Sequence, residues 1–295
     1  MATLHPHNDL ARFHALLTQN PRPRIMAVCG AGLSASSGLP TFRGAGGLWR
    51  NHRSTDLANP RAFERDPGLV WLFYAYRRHM AMGAEPGAGH EALAGMSKKY
   101  DDFLCVSQNV DNLLERADHR PDKLHKIHGC LFGLKCSRNR CTWRAKDYTS
   151  DPLFPAVEPA SADVNPNETL PLLDPSRPAP QIPLSEIPRC PECDKGLQRP
   201  DIVWFGEGMD RDVVDSIIAW MDRGVDIVLS IGTSETVSTA LGFLWDARAQ
   251  GAVYVNVNLD AETPGKLQDL NEGDFAFGGD AAEVLPKLFA PILQR

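Results

Sequence analysis

The sequence predicts an α/β fold built on a doubly wound parallel sheet. Four short apolar runs have the length and composition of buried parallel strands, and stretches with helical spacing separate them. The first run ends abruptly in a glycine-rich turn, as a parallel strand does at the edge of such a sheet. Apolar residues make up 43% and charged residues 23% of the 295 residues, so the chain has the composition of a folded globular protein. Together these observations indicate a Rossmann-like architecture.

Each predicted element follows from its local pattern. The strands, which are apolar and rich in β-branched residues, cover residues 25–29, 103–106, 225–229 and 253–257. The helices, which carry apolar residues at helical spacing, cover residues 8–19, 61–82, 87–98, 110–117, 210–222, 236–249 and 281–288.

Two insertions interrupt the alternation of strands and helices. Residues 44–100 are largely helical in pattern. Residues 135–198 include ten prolines between positions 151 and 190, and these predict a loop because proline fixes φ and removes a hydrogen-bond donor. The two insertions are predicted to form a small lobe. The predicted Rossmann-like domain comprises residues 1–43, 101–134 and 199–295.

The charge and composition exclude several classes of partner. Thirty-one Lys and Arg against thirty-seven Asp and Glu give a net charge of -6, so direct nucleic-acid binding is not expected. No apolar run approaches the ~18 residues of a membrane span, so a membrane-spanning helix is not expected. Residues 1–24 lack the apolar centre of a signal peptide, so a signal peptide is not expected either. Seven cysteines in a chain too long to need disulfides favour an intracellular compartment, cytoplasmic or mitochondrial with the nucleus as an alternative. We expect a monomer.

The turn after the first strand has the composition of a phosphate-binding loop. Its candidate ligand-binding residues are Gly30, Ala31, Gly32 and Ser34. The glycines would let the backbone approach a ligand, and the start of a helix would offer unpaired N–H groups to phosphate oxygens. Phe42 and Arg43 add a ring and a guanidinium suited to a ribose and a charged group. Because the spacing departs from G-x-G-x-x-G, a generic tight turn followed by an ordinary loop anchor stays an alternative.

The segment GAGLSASSGLPTFRG, residues 30–44, closely resembles the nucleotide-binding loop of the sirtuins, a family of NAD-dependent protein deacylases. Three later motifs agree in order: residues 107–112 resemble the sirtuin T/S-Q-N-x-D block, residues 127–129 contain its His-Gly pair, and residues 232–234 match its G-T-S loop. The resemblance runs from about residue 22 to residue 290. It implies NAD as cosubstrate and acyl-lysine proteins or peptides as substrates.

The polar residues after the second predicted strand suit a nucleotide. Asn109 and Asp111 lie at its carboxyl end, where ligands bind in open α/β sheets. A paired donor and acceptor could hold the carboxamide of nicotinamide while Gln108 reaches a ribose hydroxyl. The alternative for Asp111 is a cap on the following helix.

His128 is the candidate for proton transfer, with Asn109 as its partner in the catalytic step. Imidazole titrates near neutrality, and the neighbouring Gly129 leaves room for a substrate. We expect His119 and His125 at the surface.

The resemblance assigns further binding residues. It implies nucleotide contacts for Gly232, Thr233 and Ser234, and contacts with the adenosine half for Asn258 and Ala281. Residues 199–207 resemble the sirtuin segment that pairs with the acyl-lysine peptide as an extra strand. Apolar side chains there would help to form a tunnel for the lysine methylenes, although buried sheet packing would select the same residues. The substrate-binding residues predicted in this segment are Val203, Trp204, Phe205, Gly206 and Glu207.

Two pairs of cysteines predict a structural zinc site. The ligands are Cys136, Cys141, Cys190 and Cys193, which lie at either end of the proline-rich stretch. Four thiolates complete a tetrahedral shell with no open position, so the ion would stabilise the loop and would not be catalytic. Sirtuins have such a four-cysteine module.

Tyr74 and Arg77 narrow the expected substrate. Because they are three residues apart on a predicted helix, a phenol and a guanidinium could converge on one carboxylate. This Y-x-x-R pattern resembles that of the class III sirtuins, which remove succinyl, malonyl and glutaryl groups from lysine. The alternative is that Arg77 is solvated and Tyr74 packs below it, although Arg78 could take the solvent-exposed position instead.

The resemblance therefore implies a deacylase that attaches the acyl group to ADP-ribose. The acyl oxygen would attack the nicotinamide ribose, nicotinamide would leave, and His128 would deprotonate a ribose hydroxyl. Products would be nicotinamide, free lysine and 2′-O-acyl-ADP-ribose. The alternatives are a deacetylase, an enzyme that transfers ADP-ribose to protein, or an NAD sensor without turnover. Hydride transfer is disfavoured because Asp56, at the expected offset, does not end a predicted strand.

Overall fold

The computed structural model describes residues 7–20, 22–41, 48–161, 170–234 and 238–294. The α-helices in these ranges are α1 (Leu10–Gln19), α2 (Ser54–Leu57), α3 (Pro60–Arg65), α4 (Pro67–Gly83), α5 (Ala88–Lys99), α6 (Leu113–Arg116), α7 (Arg211–Met221), α8 (Ser238–Ala249), α9 (Pro264–Gln268), α10 (Ala281–Leu288) and α11 (Ala290–Leu293). The strands are β1 (Ile25–Cys29), β2 (Leu48–Trp49), β3 (His52–Arg53), β4 (Phe103–Ser107), β5 (Leu124–Lys126), β6 (Gly129–Cys136), β7 (Arg144–Ala145), β8 (Gln198–Ile202), β9 (Ile227–Ile231), β10 (Val253–Asn258) and β11 (Phe275–Gly278).

The centre of the molecule is a six-stranded parallel sheet, which confirms the predicted α/β, Rossmann-like fold. Its strand order is β11-β10-β9-β1-β4-β5. Strand β1 is paired with β4 on one side and with β9 on the other, both in parallel. The chain changes direction across the sheet at β1, and ligands of doubly wound folds bind outside the carboxyl ends of the strands at such a point.

Alternate residues of β1 are buried on opposite faces of the sheet. In β1, Ile25, Ala27 and Cys29 belong to a core on the side of α1, α5 and α10. Met26 and Val28 belong to a second core on the side of α7 and α8. Side chains alternate between the faces of a strand, so an entirely apolar run is buried on both.

The structure divides the helix that the sequence predicts over residues 61–82. Helix α3 ends at Arg65, and α4 begins at Pro67. Proline disfavours helical geometry in the residue before it. Asp66 accordingly adopts φ -148° and caps α4 by accepting a hydrogen bond from Leu69 N at 2.9 Å. Proline at the first position of a helix begins it without losing a hydrogen bond.

Other boundaries differ where turns displace the regular elements. The strand predicted at residues 225–229 is shifted by two residues to β9, because Gly224, with φ +90°, makes a turn three residues before the strand begins. The helix predicted over residues 110–117 shortens to α6, since Asn112 adopts the left-handed conformation at φ +58°. Strands β5 and β11 lie at the two edges of the sheet and were not predicted.

A smaller lobe has a core of its own. Strands β7, β6 and β8 form an antiparallel sheet, and its residues pack with α4 and with apolar residues of the proline-rich stretch. Phe154 of this stretch meets Trp71 of α4 edge to face, with ring centroids 5.4 Å apart. The stretch was predicted only as a loop between zinc ligands. In its described part it contains short 3₁₀ turns, and it packs against the helix that carries Tyr74 and Arg77.

Within the described ranges, none of the helices has both the length and the apolar character needed to cross a membrane.

Candidate active site

The glycine loop is joined to a second loop by very close backbone packing. Gly30 N donates to Ile231 O, and Gly32 N donates to Gly232 O, both at 2.8 Å. A Cβ on Gly30 would lie 2.7 Å from Gly232 O, and one on Gly32 would lie 2.7 Å from Gly232 Cα. Side chains at these positions would therefore force the two loops apart. The N–H groups that we expected to be unpaired for phosphate are used here, and the helix expected after the turn is a single 3₁₀ turn from Ala31 to Ser34.

A buried hydrogen-bond network centres on Ser34. Its Oγ donates to Asp111 Oδ2 at 2.7 Å and accepts from Asn109 Nδ2 at 3.1 Å. Asn109 Nδ2 also lies 3.0 Å from Gly30 O. The other oxygen of Asp111, Oδ1, accepts from Leu113 N at 3.0 Å. The capping alternative is therefore correct for one carboxylate oxygen, while the second one faces the glycine loop.

His90 completes this network and was missed from the sequence. It is 1% exposed, and its Nε2 lies 3.2 Å from Ser34 Oγ. Because Gly87 N donates to its Nδ1 at 3.1 Å, the neutral ring carries its hydrogen on Nε2 and donates to Ser34. Burial lowers the pKa of His90 below its usual value, which favours this neutral form. The sequence signal for His90 is its helical spacing: it lies on the same face of α5 as the apolar Leu93 and Ala94. A polar side chain on a buried face needs a hydrogen-bond partner.

His128 has the geometry of a general base. Its Nδ1 lies 3.0 Å from Gln108 O, and a carbonyl can only accept, so Nδ1 carries the hydrogen and Nε2 is left with a lone pair. Burial lowers the pKa of His128, and the bond to Gln108 O partly offsets this. The imidazole is therefore neutral at physiological pH. The expectation that His119 lies at the surface is wrong: it is 4% exposed, beside the ring of Phe103. His125 is half-buried.

The remaining residues assigned to the nucleotide surround the same edge of the sheet. Gln108 Nε2 donates to Thr233 Oγ1 at 3.0 Å, and Asn258 Nδ2 donates to Thr233 O at 3.0 Å. Ser234 is exposed beside them. Ala281, by contrast, is 4% exposed at the start of α10 within the apolar core, so its side chain has little access to a ligand. Phe42 and Arg43 lie outside the described residues.

Helix α4 directs Tyr74 and Arg77 toward this edge. Arg77 Nη2 donates to Pro40 O at 3.2 Å, in the segment that follows the glycine loop. Burial lowers the pKa of Arg77, and the carboxylate of Asp111 is among the groups that offset this effect. Tyr74 is 2% exposed, and burial raises its pKa well above the usual range. The structure brings Arg77 close to the network around Ser34, whereas the Tyr74 hydroxyl contacts Trp204.

Arg78 does not take the surface position that the sequence left open for it. It is 2% exposed and donates to Leu131 O at 3.0 Å and to Ser150 O at 3.1 Å. Its guanidinium also donates to Tyr148 O. Arg78 therefore ties α4 to strand β6 and to the beginning of the proline-rich stretch.

The segment predicted to bind the peptide lies beside His128. Val203 N donates to His128 O at 2.9 Å. Phe205 is 49% exposed, whereas Trp204 is 2% exposed beneath it. The carboxylate of Glu207 forms an ion pair with Arg199 at 2.7 Å. Gly206, with φ +90°, is exposed.

The four predicted zinc ligands form one cluster. The Sγ atoms of Cys136, Cys141, Cys190 and Cys193 all lie within 4.8 Å of one another. The pairs Cys136–Cys193 and Cys141–Cys190 are each 3.7 Å apart. A tetrahedron with zinc–sulfur bonds of about 2.3 Å has edges of about 3.8 Å, so the cluster fits a closed zinc site.

Two thiols of the cluster differ in how readily they ionise. Backbone N–H groups of Lys195 and Gly196 lower the pKa of Cys193 to about 6. Burial raises the pKa of Cys136 to about 12, so its thiolate needs a nearby cation.

Comparison with known proteins places these features in a family. A model of the Sir2 family matches residues 30–239. The chain is 39% identical to an NAD-dependent protein deacylase of Candida albicans, over 92% of this chain and 94% of that relative. It is 36% identical to the mitochondrial NAD-dependent protein deacylase sirtuin-5 of Canis lupus familiaris, over 98% and 88% of the two chains. Its fold matches the crystal structure of a Sir2 homolog–NAD complex with a TM-score of 0.75, at 29% identity and over 98% and 96% of the two chains.

Proposed function

Because the chain belongs to the Sir2 family and is an NAD-dependent protein deacylase, we propose that it removes acidic acyl groups, namely succinyl, malonyl or glutaryl, from lysine side chains. The observation that carries this proposal is the Tyr74–Arg77 pair. Arg77 is partly buried, reaches Pro40 O after the glycine loop and lies within electrostatic range of Asp111. A cation in this position would be costly to bury for an enzyme of neutral acyl groups, and it suits a distal carboxylate.

NAD supplies the ribose carbon that accepts the acyl group as nicotinamide leaves. Asn109 and Asp111 suit the N–H groups of the nicotinamide carboxamide as acceptors, because both hydrogens of Asn109 Nδ2 are engaged with Gly30 O and Ser34 Oγ and a carboxylate can only accept. The neutral His128 takes a proton from a ribose hydroxyl at Nε2, since its Nδ1 is engaged with Gln108 O. One water molecule is consumed as the amide bond breaks, and the products are nicotinamide, free lysine and 2′-O-acyl-ADP-ribose.

The peptide pairs with the exposed part of the segment from Val203 to Glu207. Phe205 N is engaged with Ala58 O at 2.9 Å, so the exposed ring of Phe205 offers an apolar surface and the exposed Gly206 offers backbone. Backbone pairing tolerates many peptide sequences, so the acyl group and not the flanking sequence would decide selection. The zinc ion, held by the four cysteines, stabilises the small lobe against which this segment packs.

We infer an intracellular monomer, cytoplasmic or mitochondrial. All seven cysteines are free thiols, which fits a reducing compartment with a thiolate metal site. The Canis relative is named as a mitochondrial protein. A mass of 32.5 kDa on size exclusion with light scattering would support the monomer.

The test is a panel of otherwise identical peptides carrying acetyl-, malonyl-, succinyl- or glutaryl-lysine. With NAD and zinc-loaded protein, free lysine and nicotinamide are measured by mass spectrometry. We expect kcat/KM to be higher for at least one acidic acyl group than for acetyl. A preference for acetyl would contradict the acidic specificity. Label from NAD that stays on protein would indicate ADP-ribose transfer, and absence of nicotinamide release with every peptide would indicate a sensor.

A further inference from the structure

We propose that Trp204 is a positioning residue for acyl selectivity: its indole N–H holds the Tyr74 hydroxyl so that the phenolic hydrogen points to the acyl carboxylate. This inference rests on the proposed acidic acyl specificity and assigns a new role to a residue otherwise expected only to line the lysine tunnel.

The contact between the two side chains is direct and buried. Trp204 Nε1 donates to Tyr74 Oη at 2.9 Å, and the rings are stacked with centroids 6.3 Å apart. Both residues are 2% exposed. Indole N–H is a donor only, so the tyrosine oxygen must be the acceptor in this bond.

The bond leaves one hydrogen on Tyr74 for another partner. A phenol has a single hydrogen, and once its oxygen accepts from Trp204, that hydrogen is directed away from the indole. Among the residues that the structure describes, none accepts it. Burial raises the pKa of Tyr74, so the phenol keeps this hydrogen across the physiological range. Arg77, one turn further along α4, is a second donor on the same face.

Trp204 is itself held in place, which is what a positioning role requires. The Arg199 guanidinium lies 3.5 Å from the centroid of its ring, and Phe63 packs at 5.4 Å. Trp204 N donates to Glu207 Oε2 at 3.0 Å, and the same carboxylate pairs with Arg199. The indole cannot turn away from Tyr74 without breaking these contacts.

The fixed orientation of the Tyr74 hydroxyl affects acidic acyl groups and not neutral ones. An ionised carboxylate accepts hydrogen bonds and cannot donate. A tyrosine hydroxyl free to rotate would present its lone pairs to that carboxylate part of the time, which is repulsive. Trp204 removes this orientation. An acetyl group has no distal carboxylate, so its turnover does not depend on how the hydroxyl is turned.

The experiment is the variant Trp204→Phe, which keeps a ring in place but removes the N–H. We measure kcat and KM for succinyl- and acetyl-lysine peptides. For the succinyl peptide we expect KM to rise about five- to tenfold, the upper range for one hydrogen bond, with kcat nearly unchanged. The acetyl-lysine also passes Trp204 in the tunnel, so its KM can change as well, but we expect that change to be at least about threefold smaller than for the succinyl peptide.

The double variant Trp204→Phe/Tyr74→Phe distinguishes positioning from packing. Since Trp204 acts through the Tyr74 hydroxyl, Trp204→Phe should have no further effect on succinyl selectivity in a Tyr74→Phe background. An equal effect in both backgrounds would overturn the inference. If Trp204→Phe does not fold, the same comparison is made with benzothienylalanine at position 204, which keeps the shape of the indole without its N–H.

Trp71→Phe is the matched control. Trp71 is another 2% exposed tryptophan that donates a hydrogen bond, to Gln198 O at 3.0 Å, but it does not contact Tyr74 through that bond. It should leave the succinyl-to-acetyl ratio unchanged, and a change equal to that of Trp204→Phe would refute the positioning role. Failure of the proposed function is distinguishable, because wild-type protein would then show no preference for acidic acyl groups. With the preference present in wild type and unaltered in Trp204→Phe, only the inference about Trp204 is wrong.

Discussion

Removal of the guanidinium of Arg77 should lower the activity on acidic acyl groups strongly and the activity on acetyl groups only slightly. Arg77→Met keeps the aliphatic part of the side chain that lies beside Phe73, where the guanidinium carbon is 5.4 Å from the ring centroid. A cation and a carboxylate about 4 Å apart attract by roughly 4 kcal/mol at an effective dielectric of about 20. Loss of one partner of a desolvated pair costs about 2–5 kcal/mol. We expect about 3 kcal/mol, which corresponds to roughly 150-fold in kcat/KM for a succinyl peptide.

The assay compares succinyl- and acetyl-lysine peptides at saturating NAD. The acetyl peptide should lose less than about threefold, because it makes no ion pair with Arg77. Arg65→Met, which removes an exposed guanidinium on α3, is the control and should change neither rate. Equal losses for both peptides in Arg77→Met would show that Arg77 supports the fold or the NAD site, and the argument for acidic specificity would be lost.

Three further outcomes follow from the site. His128→Ala should abolish turnover but leave the affinity for NAD, measured by calorimetry, within about threefold of wild type. In the wild-type enzyme the pKa of His128 is lowered, so the neutral base is lost only in acid and kcat/KM should fall below a pH of about 6.5. A fall of kcat/KM centred above pH 7 would contradict this assignment. Gly32→Ala should weaken NAD binding at least tenfold, since its Cβ would lie 2.7 Å from Gly232 Cα; unchanged affinity would show that the loops can separate freely. Cys193→Ser should lower the zinc content measured by metal analysis from one ion per chain and lower the melting temperature, and an equally stable, active protein without zinc would refute a structural metal.

The parts of this molecule that could be predicted from the sequence are those in which neighbouring residues carry the signal. Strand β1 was predicted with its correct ends because five consecutive apolar residues are followed by Gly30. The zinc cysteines were recognised by their spacing, and they converge in the structure. The polar residues near the carboxyl end of β4 were assigned to a ligand because parallel strands present their carboxyl ends at one edge.

The parts that could not be predicted depend on contacts between distant residues. Trp204 and Tyr74 are 130 positions apart, and nothing near either one shows that the indole donates to the phenol. His90 has no motif, and its role follows only from the packing of α5 beside the glycine loop. Arg78 was expected to be able to take the solvent-exposed position, but the packing of α4 buries it against three carbonyl groups.

The seven thiols differ in accessibility, so the number that reacts with a thiol reagent reports on the state of the protein. Four belong to the zinc cluster, and Cys29 and Cys105 are fully buried, 3.7 Å from each other in the core. Only Cys130, two residues after His128, is left half-accessible outside the cluster. A maleimide titration should therefore count one slowly reacting group per metal-loaded chain and five after chelation. The rise from one group to five would follow the integrity of the small lobe.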